Sequence, residues 1–143
     1  MKNIKLKISD KADDNFLLAG IVSTENDYKI SWAINQALGI ELVRNEPLSL
    51  YSEKSPDQLL YPVFYFSDGF TEYHLITGKV QGISLLDEFP DADYLLKIKG
   101  QFNEQDLPGL LKKTGELTEV LANFPVPVKQ LKQKSLEKLT FLQ

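Results

Sequence analysis

The sequence predicts a single α+β domain over residues 1–143, a mixed, mainly antiparallel sheet with about two main helices packed on one face. Three observations carry that expectation. Strand-like segments outnumber helical ones. The chain mixes β-α-β runs with a hairpin. A length of 143 residues, 43 % hydrophobic and 25 % charged, suits one compact core.

At the N-terminus, Ile4, Leu6 and Ile8 alternate with Lys5 and Lys7, the period of a half-buried strand. KADDN makes a polar turn, and FLLAGIVS (16–23) is an apolar run of buried-strand length. The strongest helix signal is TENDYKISWAINQALG (24–39), where Ile30, Ala33, Ile34, Ala37 and Leu38 form one apolar stripe. Thr24 or Asn26 suits its N-cap, Asp27 its first turn, and Gly39 its end. IELVRNEPLSLYS (40–52) is expected to be extended, with Pro47 marking an edge or a break, and EKSPDQ (53–58) to be loop.

YPVFYFSDGFTEYHLITG (61–78) reads as a hairpin about a type I′ turn at Asp68-Gly69. A two-residue loop there pairs Phe66 with Thr71, Tyr65 with Glu72 and Val63 with His74. One face then carries Phe64, Phe66, Tyr73 and Leu75, and the other Tyr61, Val63, Tyr65, Glu72 and His74. GISLLDEF (82–89) is expected as a short helix or turn before the strand DYLLKIKG (93–100). Leu107, Leu110, Leu111 and Thr114 give a helix opened by Asp106 and closed by Gly115. A strand follows at about 119–126, then a helical turn after Pro127 and a short strand near 136–142. The stretch 93–126 has the order of a βαβ element of ferredoxin or ACT type, an analogy of fold that specifies no function.

Composition narrows the function classes. The net charge of −4 disfavours general attraction to nucleic acid or anionic membranes. With no cysteine, there are no disulfides, thiolate nucleophiles or cysteine-based metal sites. The start of the chain lacks an apolar core of signal-peptide length. No stretch approaches the ~18 apolar residues of a membrane helix, so a cytoplasmic location is expected. Neither common Gly-rich phosphate-binding pattern is present, and no cofactor is expected.

The stretch LLDEFPDADYLL (85–96) puts Asp87, Glu88, Asp91 and Asp93 beside Phe89 and Tyr94. As an EF-hand loop counted from Asp91 it fails, with Leu96 where glycine is needed and Phe102 where glutamate is needed. A catalytic carboxylate pair needs a cleft that raises one pKa. The simpler reading is a turn stopped by Pro90 and solvated by its acids, with Asp93 bonded to backbone amides.

Leu86-Asp87-Glu88-Phe89-Pro90-Asp91-Ala92-Asp93-Tyr94 resembles the signature of the IPExxxVDY family of small bacterial proteins. Glu88, Asp93 and Tyr94 match its fixed positions, Leu86 and Ala92 stand in for Ile and Val, and Asp87 replaces its Pro. DYKISWAINQALGIELVR (27–44) resembles the family's early helix and strand, and VKQLKQKSLEKLTF (128–141) its Lys-rich closing segment. The resemblance implies a bacterial cytosolic protein and brings no catalytic residue, cofactor or substrate. The expected role of the motif is structural, with carboxylates holding backbone amides while Tyr94 leads a strand into the core; a binding groove is the alternative.

His74 is the only histidine, and its face places it near Tyr65 and Glu72; a partly exposed strand histidine is expected ahead of a general base. Tyr28 and Trp32 lie nearly opposite the helix's apolar stripe, and these residue types dominate interface hot spots; coverage of that face by another segment, such as the C-terminal tail, is the alternative and is put slightly ahead. The leading expectation is a non-catalytic module acting through a protein partner or self-association. A regulatory domain binding a small metabolite comes second, and an enzyme third.

Overall fold

A computed structural model describes residues 15–52, 55–101 and 104–140; the strand expected at 4–8 lies outside them. The fold is α+β. Along the chain run β1 (Leu17–Val22), α1 (Asp27–Leu38), β2 (Val43–Arg44), β3 (Leu48–Ser52), β4 (Ser55–Tyr61), β5 (Val63–Ser67) and β6 (Thr71–Thr77). Then come β7 (Lys79–Val80), β8 (Ile83–Ser84), β9 (Tyr94–Gly100), α2 (Leu107–Gly115), β10 (Ala122–Pro125) and α3 (Gln133–Thr140).

The main sheet has the order β10-β1-β9-β6-β5-β2, and each neighbouring pair is antiparallel. Since β9 and β10 both flank β1, they run parallel to each other, with α2 in the connection between them. This is a split β-α-β element in the C-terminal half. By the same logic β1 and β6 flank β9 in parallel, with α1 in their connection. Central β9 is buried on both faces, which is why its sequence reads as an almost continuous apolar run.

Each face of the sheet has its own core. Ile30 and Ile34 of α1 and Leu110 of α2 pack on Ala19, Ile21, Leu75 and Leu96, so the two main helices share one face as expected. The other face is also covered. There Leu18, Val63, Ile76 and Leu95 meet Leu59 and Tyr61 of β4, Leu85 and Leu86, and Leu136 and Leu139 of α3.

Local chemistry places the ends of the elements. Asn26 caps α1, its side chain accepting from the Lys29 N–H at 2.9 Å, and Gly39 closes it in the left-handed region at φ +68°. Pro47 falls in the break where the chain leaves β2, at the sheet edge, for the separate β3–β4 hairpin.

Four expectations are corrected. The β5–β6 hairpin pairs Ser67 with Glu72, Phe66 with Tyr73 and Tyr65 with His74, two residues off the expected register. Asp68 is the cause: its Oδ1 accepts the Phe70 and Thr71 N–H groups at 2.9 and 2.8 Å, drawing residues 68–70 into the connection and leaving Ser67 and Glu72 as the first cross-strand pair. A shift of two preserves the expected faces. The sign pattern of a type I′ turn occurs instead at Gln81 (φ 52°) and Gly82 (φ 76°), between β7 and β8.

The second correction is that residues 55–58, expected as loop, belong to β4, where Leu59 and Tyr61 turn inward against the core. Third, within 82–89, expected as a short helix or turn, Ile83–Ser84 form the strand β8; the turn alternative holds for the rest, closed by Phe89 N–H to Leu86 O (3.1 Å) and Ala92 N–H to Phe89 O (3.2 Å). Fourth, the strand expected near 136–142 is the helix α3, whose Leu136 and Leu139 recur at helical spacing on its buried side.

Candidate functional site

The predicted site residues fall into three places. The first is the acidic stretch. Glu88 reaches the start of α3, where its Oε2 accepts the Lys132 N–H at 2.8 Å and its Oε1 the Ser135 hydroxyl at 2.8 Å. Burial pushes the Glu88 carboxyl up, but these two bonds and the Lys132 charge more than offset it, and it lies below its ordinary value. Asp93 accepts the Ser23 N–H on Oδ2 at 3.0 Å, and its Oδ1 lies 3.9 Å from Lys79 Nζ.

Tyr94 is buried and donates its hydroxyl to Glu25 O at 2.5 Å. Burial, with the charges of Asp27, Asp93 and Glu25, pushes that phenol up to about 12. Asp87 and Asp91 are exposed. Two of the four acids thus tie distant backbone segments together and two face water. The motif joins β9 to the β1–α1 connection and to α3.

The second place is the sheet face under α3. Tyr65 and His74 are cross-strand neighbours with ring centroids 4.8 Å apart, and His74 also pairs with Lys97 of β9. His74 is 5 % exposed, which corrects the expectation of a partly exposed histidine. The cause is topological: α3 and the β3–β4 hairpin roof a face that the strand pattern alone leaves open. Glu72 lies on the same face at the exposed end of β6.

Lys97 was not singled out from the sequence, yet it is buried at 4 % exposure. Its Nζ donates to Leu139 O in the last turn of α3 at 2.7 Å and sits 4.8 Å from the Phe16 ring centroid. A buried ammonium at a helix C-terminus meets the negative end of the helix dipole. The only sequence signal was a lysine at an otherwise apolar central-strand position.

The third place is the sheet edge beside α1. Tyr28 and Trp32 are 63 % and 57 % exposed on the outer side of α1, and Val43 of β2 is 62 % exposed. Arg44 binds this rim together: its guanidinium lies 5.0 Å from both the Tyr28 and the Phe64 ring centroids and 3.0 Å from Asp27 Oδ2. Arg44 was also missed from sequence, because its partners come from α1 and β5.

The backbone here is as informative as the side chains. Asn45 N–H donates to Val63 O at 2.8 Å, and Val43 pairs with Tyr65. In antiparallel alternation the Arg44 N–H and C=O therefore point away from β5, and neither takes a partner among the described residues. At Leu42, the next outward-facing position, the Asn35 side chain binds both the N–H (2.8 Å) and the C=O (3.3 Å). One outward pair of backbone groups is closed by a side chain and the other is open. Tyr28 and Trp32 are not near Tyr65, Glu72 and His74; the two sets lie on opposite faces.

Among the described residues no group of three or more His, Asp or Glu is placed to hold a metal, and no helix is long and apolar enough to cross a membrane. No protein-family model, curated protein or solved structure matches this chain.

Proposed function

We propose that the chain is a non-catalytic protein-contact module of the bacterial cytosol and a member of the IPExxxVDY family. The observation that carries the contact reading is the open Arg44 backbone edge, rimmed by the exposed Tyr28, Trp32 and Val43. An edge strand with free N–H and C=O groups accepts an added strand, and adjacent aromatic side chains supply the apolar contact that main-chain pairing lacks. The family reading is supported by Glu88, Asp93 and Tyr94, each of which makes a cross-segment bond. The strand order β10-β1-β9-β6 with α1 and α2 on one face supports the analogy with a ferredoxin-like unit without adding a function.

The occupant is an extended segment of a different chain. A two-fold dimer pairing β2 with β2 across Arg44 sets two arginines directly opposite on one face, a destabilising like-charge pair. The test is photo-crosslinking in the source cell from a benzophenone amino acid at Val43. One discrete adduct with another protein is expected, suppressed by Trp32→Ala and by Arg44→Pro, which removes the outward N–H. A homodimer adduct, or crosslinking indifferent to both changes, refutes the reading.

A further inference from the structure

A second concavity lies apart from that edge, between the end of α1, β6 and the start of α2, with a volume of about 380 Å³. That is within the range of small-molecule sites. Leu38, Leu110 and Tyr73 provide its apolar walls. Burial, and secondarily the charge of Asp68, raises the Tyr73 phenol, so it presents a neutral hydroxyl.

The polar lining comes from α2 and the residues just before it. Asp106, which immediately precedes α2, and Gly109, Leu110 and Lys113 recur at helical spacing, with Gln105 beside the acid. Lys113 and Asp106 both line the concavity, seven residues apart in the chain with Gly109 between them. Lys113 has no protein partner among the described residues. An acid and a base of opposite sign thus flank a gap walled by leucine and tyrosine.

Gly109 is what keeps the gap open. Glycine is the poorest helix former after proline, so its presence in α2 calls for a cause. Backbone geometry is not the cause, because Gly109 is absent from the positive-φ residues. Close packing is not the cause either, because no atom lies within 4 Å of where its Cβ would stand. By contrast, Cβ atoms at Gly78 and Gly100 would strike Ala92 O at 2.4 Å and Phe70 O at 2.2 Å. What the missing side chain at Gly109 does is leave the concavity empty.

We propose that this concavity binds a small zwitterion with an apolar arm, its carboxylate at Lys113, its ammonium at Asp106 and its arm between Leu38, Leu110 and Tyr73. The site is independent of the α1–β2 edge and does not rest on the contact reading.

The test is a titration of the full chain, followed by amide chemical shifts, with L-leucine and L-phenylalanine as probes up to 10 mM. Leucine amide and N-acetylleucine, each lacking one charge, serve as controls. The expected result is saturable shifts at Gly109, Leu110 and Lys113, with each control at least ~10-fold weaker, the scale of one lost charged contact. Gly109→Leu is expected to abolish binding while leaving the unfolding midpoint equal or higher, and Lys113→Met to weaken it ~10-fold or more with the fold unchanged. Three results each overturn the proposal: no saturable shift with either probe, controls that bind as well as the zwitterions, or a folded Gly109→Leu that binds like wild type.

Discussion

Replacing Glu88 tests whether the acidic motif is a clamp on α3. That helix has eight residues, below the ~12–15 at which an isolated helix is even marginally stable, so it depends on its attachments. In Glu88→Ala the Lys132 N–H loses a helix-capping acceptor, worth ~1 kcal/mol. The Ser135 hydroxyl loses a bond to a carboxylate, worth about 0.5–1.5 kcal/mol at a partly exposed site. Together the loss is about 1.5–2.5 kcal/mol. With a urea m-value of about 1–3 kcal/mol/M for a chain of this size, the midpoint falls by roughly 1 M.

A double-mutant cycle with Ser135→Ala should return a coupling of about 0.5–1.5 kcal/mol, since the two groups share one bond. The pH dependence has a fixed sign. The Glu88 carboxyl is lowered on folding, so its contribution is complete above its ordinary value of 4.5 and is lost as pH falls through the lower folded value. The gap between wild type and Glu88→Gln should therefore hold steady at neutral pH and narrow in acid below 4.5. An unchanged urea midpoint in Glu88→Ala, or additive effects in the cycle, would refute the clamp.

Two further outcomes follow from burial and bonding. Ile34, fully buried under α1, should cost about 2–5 kcal/mol as Ile34→Ala, whereas the exposed Trp32→Ala should stay within ~0.5 kcal/mol of wild type; thermal or urea unfolding of the pair checks the contrast. Asp93→Ala removes the acceptor of the Ser23 N–H and should cost about 1–2 kcal/mol, visible as a lower urea midpoint and faster amide exchange at Ser23.

Elements governed by neighbouring residues were legible in the sequence. The α1 stripe and its Asn26 and Gly39 ends, the β9 run, α2 and β10 all emerged close to where they stand. Errors arose where a side chain or a distant segment decides. Asp68 recruits two amides and resets the hairpin register, although a shift of two left the faces right. α3 was expected as a strand because a segment of eight residues is too short for one i, i+3 leucine pair to decide the period, and what stabilises it as a helix is Glu88, many residues earlier. That Tyr28 and Trp32 stand opposite the apolar stripe followed from helical angle; that they are exposed did not, since coverage by another segment of the chain was the reading put slightly ahead. Arg44 and Lys97 did not, because the first is set by α1 and β5 and the second by a roof that only tertiary packing supplies.

The placement of β1 between β10 and β9 governs when the molecule can form. β1 precedes the other described strands in the chain, yet its sheet partners, β9 and β10, are the last two of the described strands to be synthesised. During translation at about 5–20 residues per second, β1 therefore waits on the order of several seconds before any ladder can receive it. Until then its LLAGIV segment is a bare apolar strand with both edges open, the kind of segment that aggregates. Pairing so remote in sequence also makes loop closure precede any reward, so refolding on the slower millisecond-to-second scale is expected. A nascent chain halted before Tyr94 should accordingly be the aggregation-prone species, and one carried past Pro125 should be free to close its sheet.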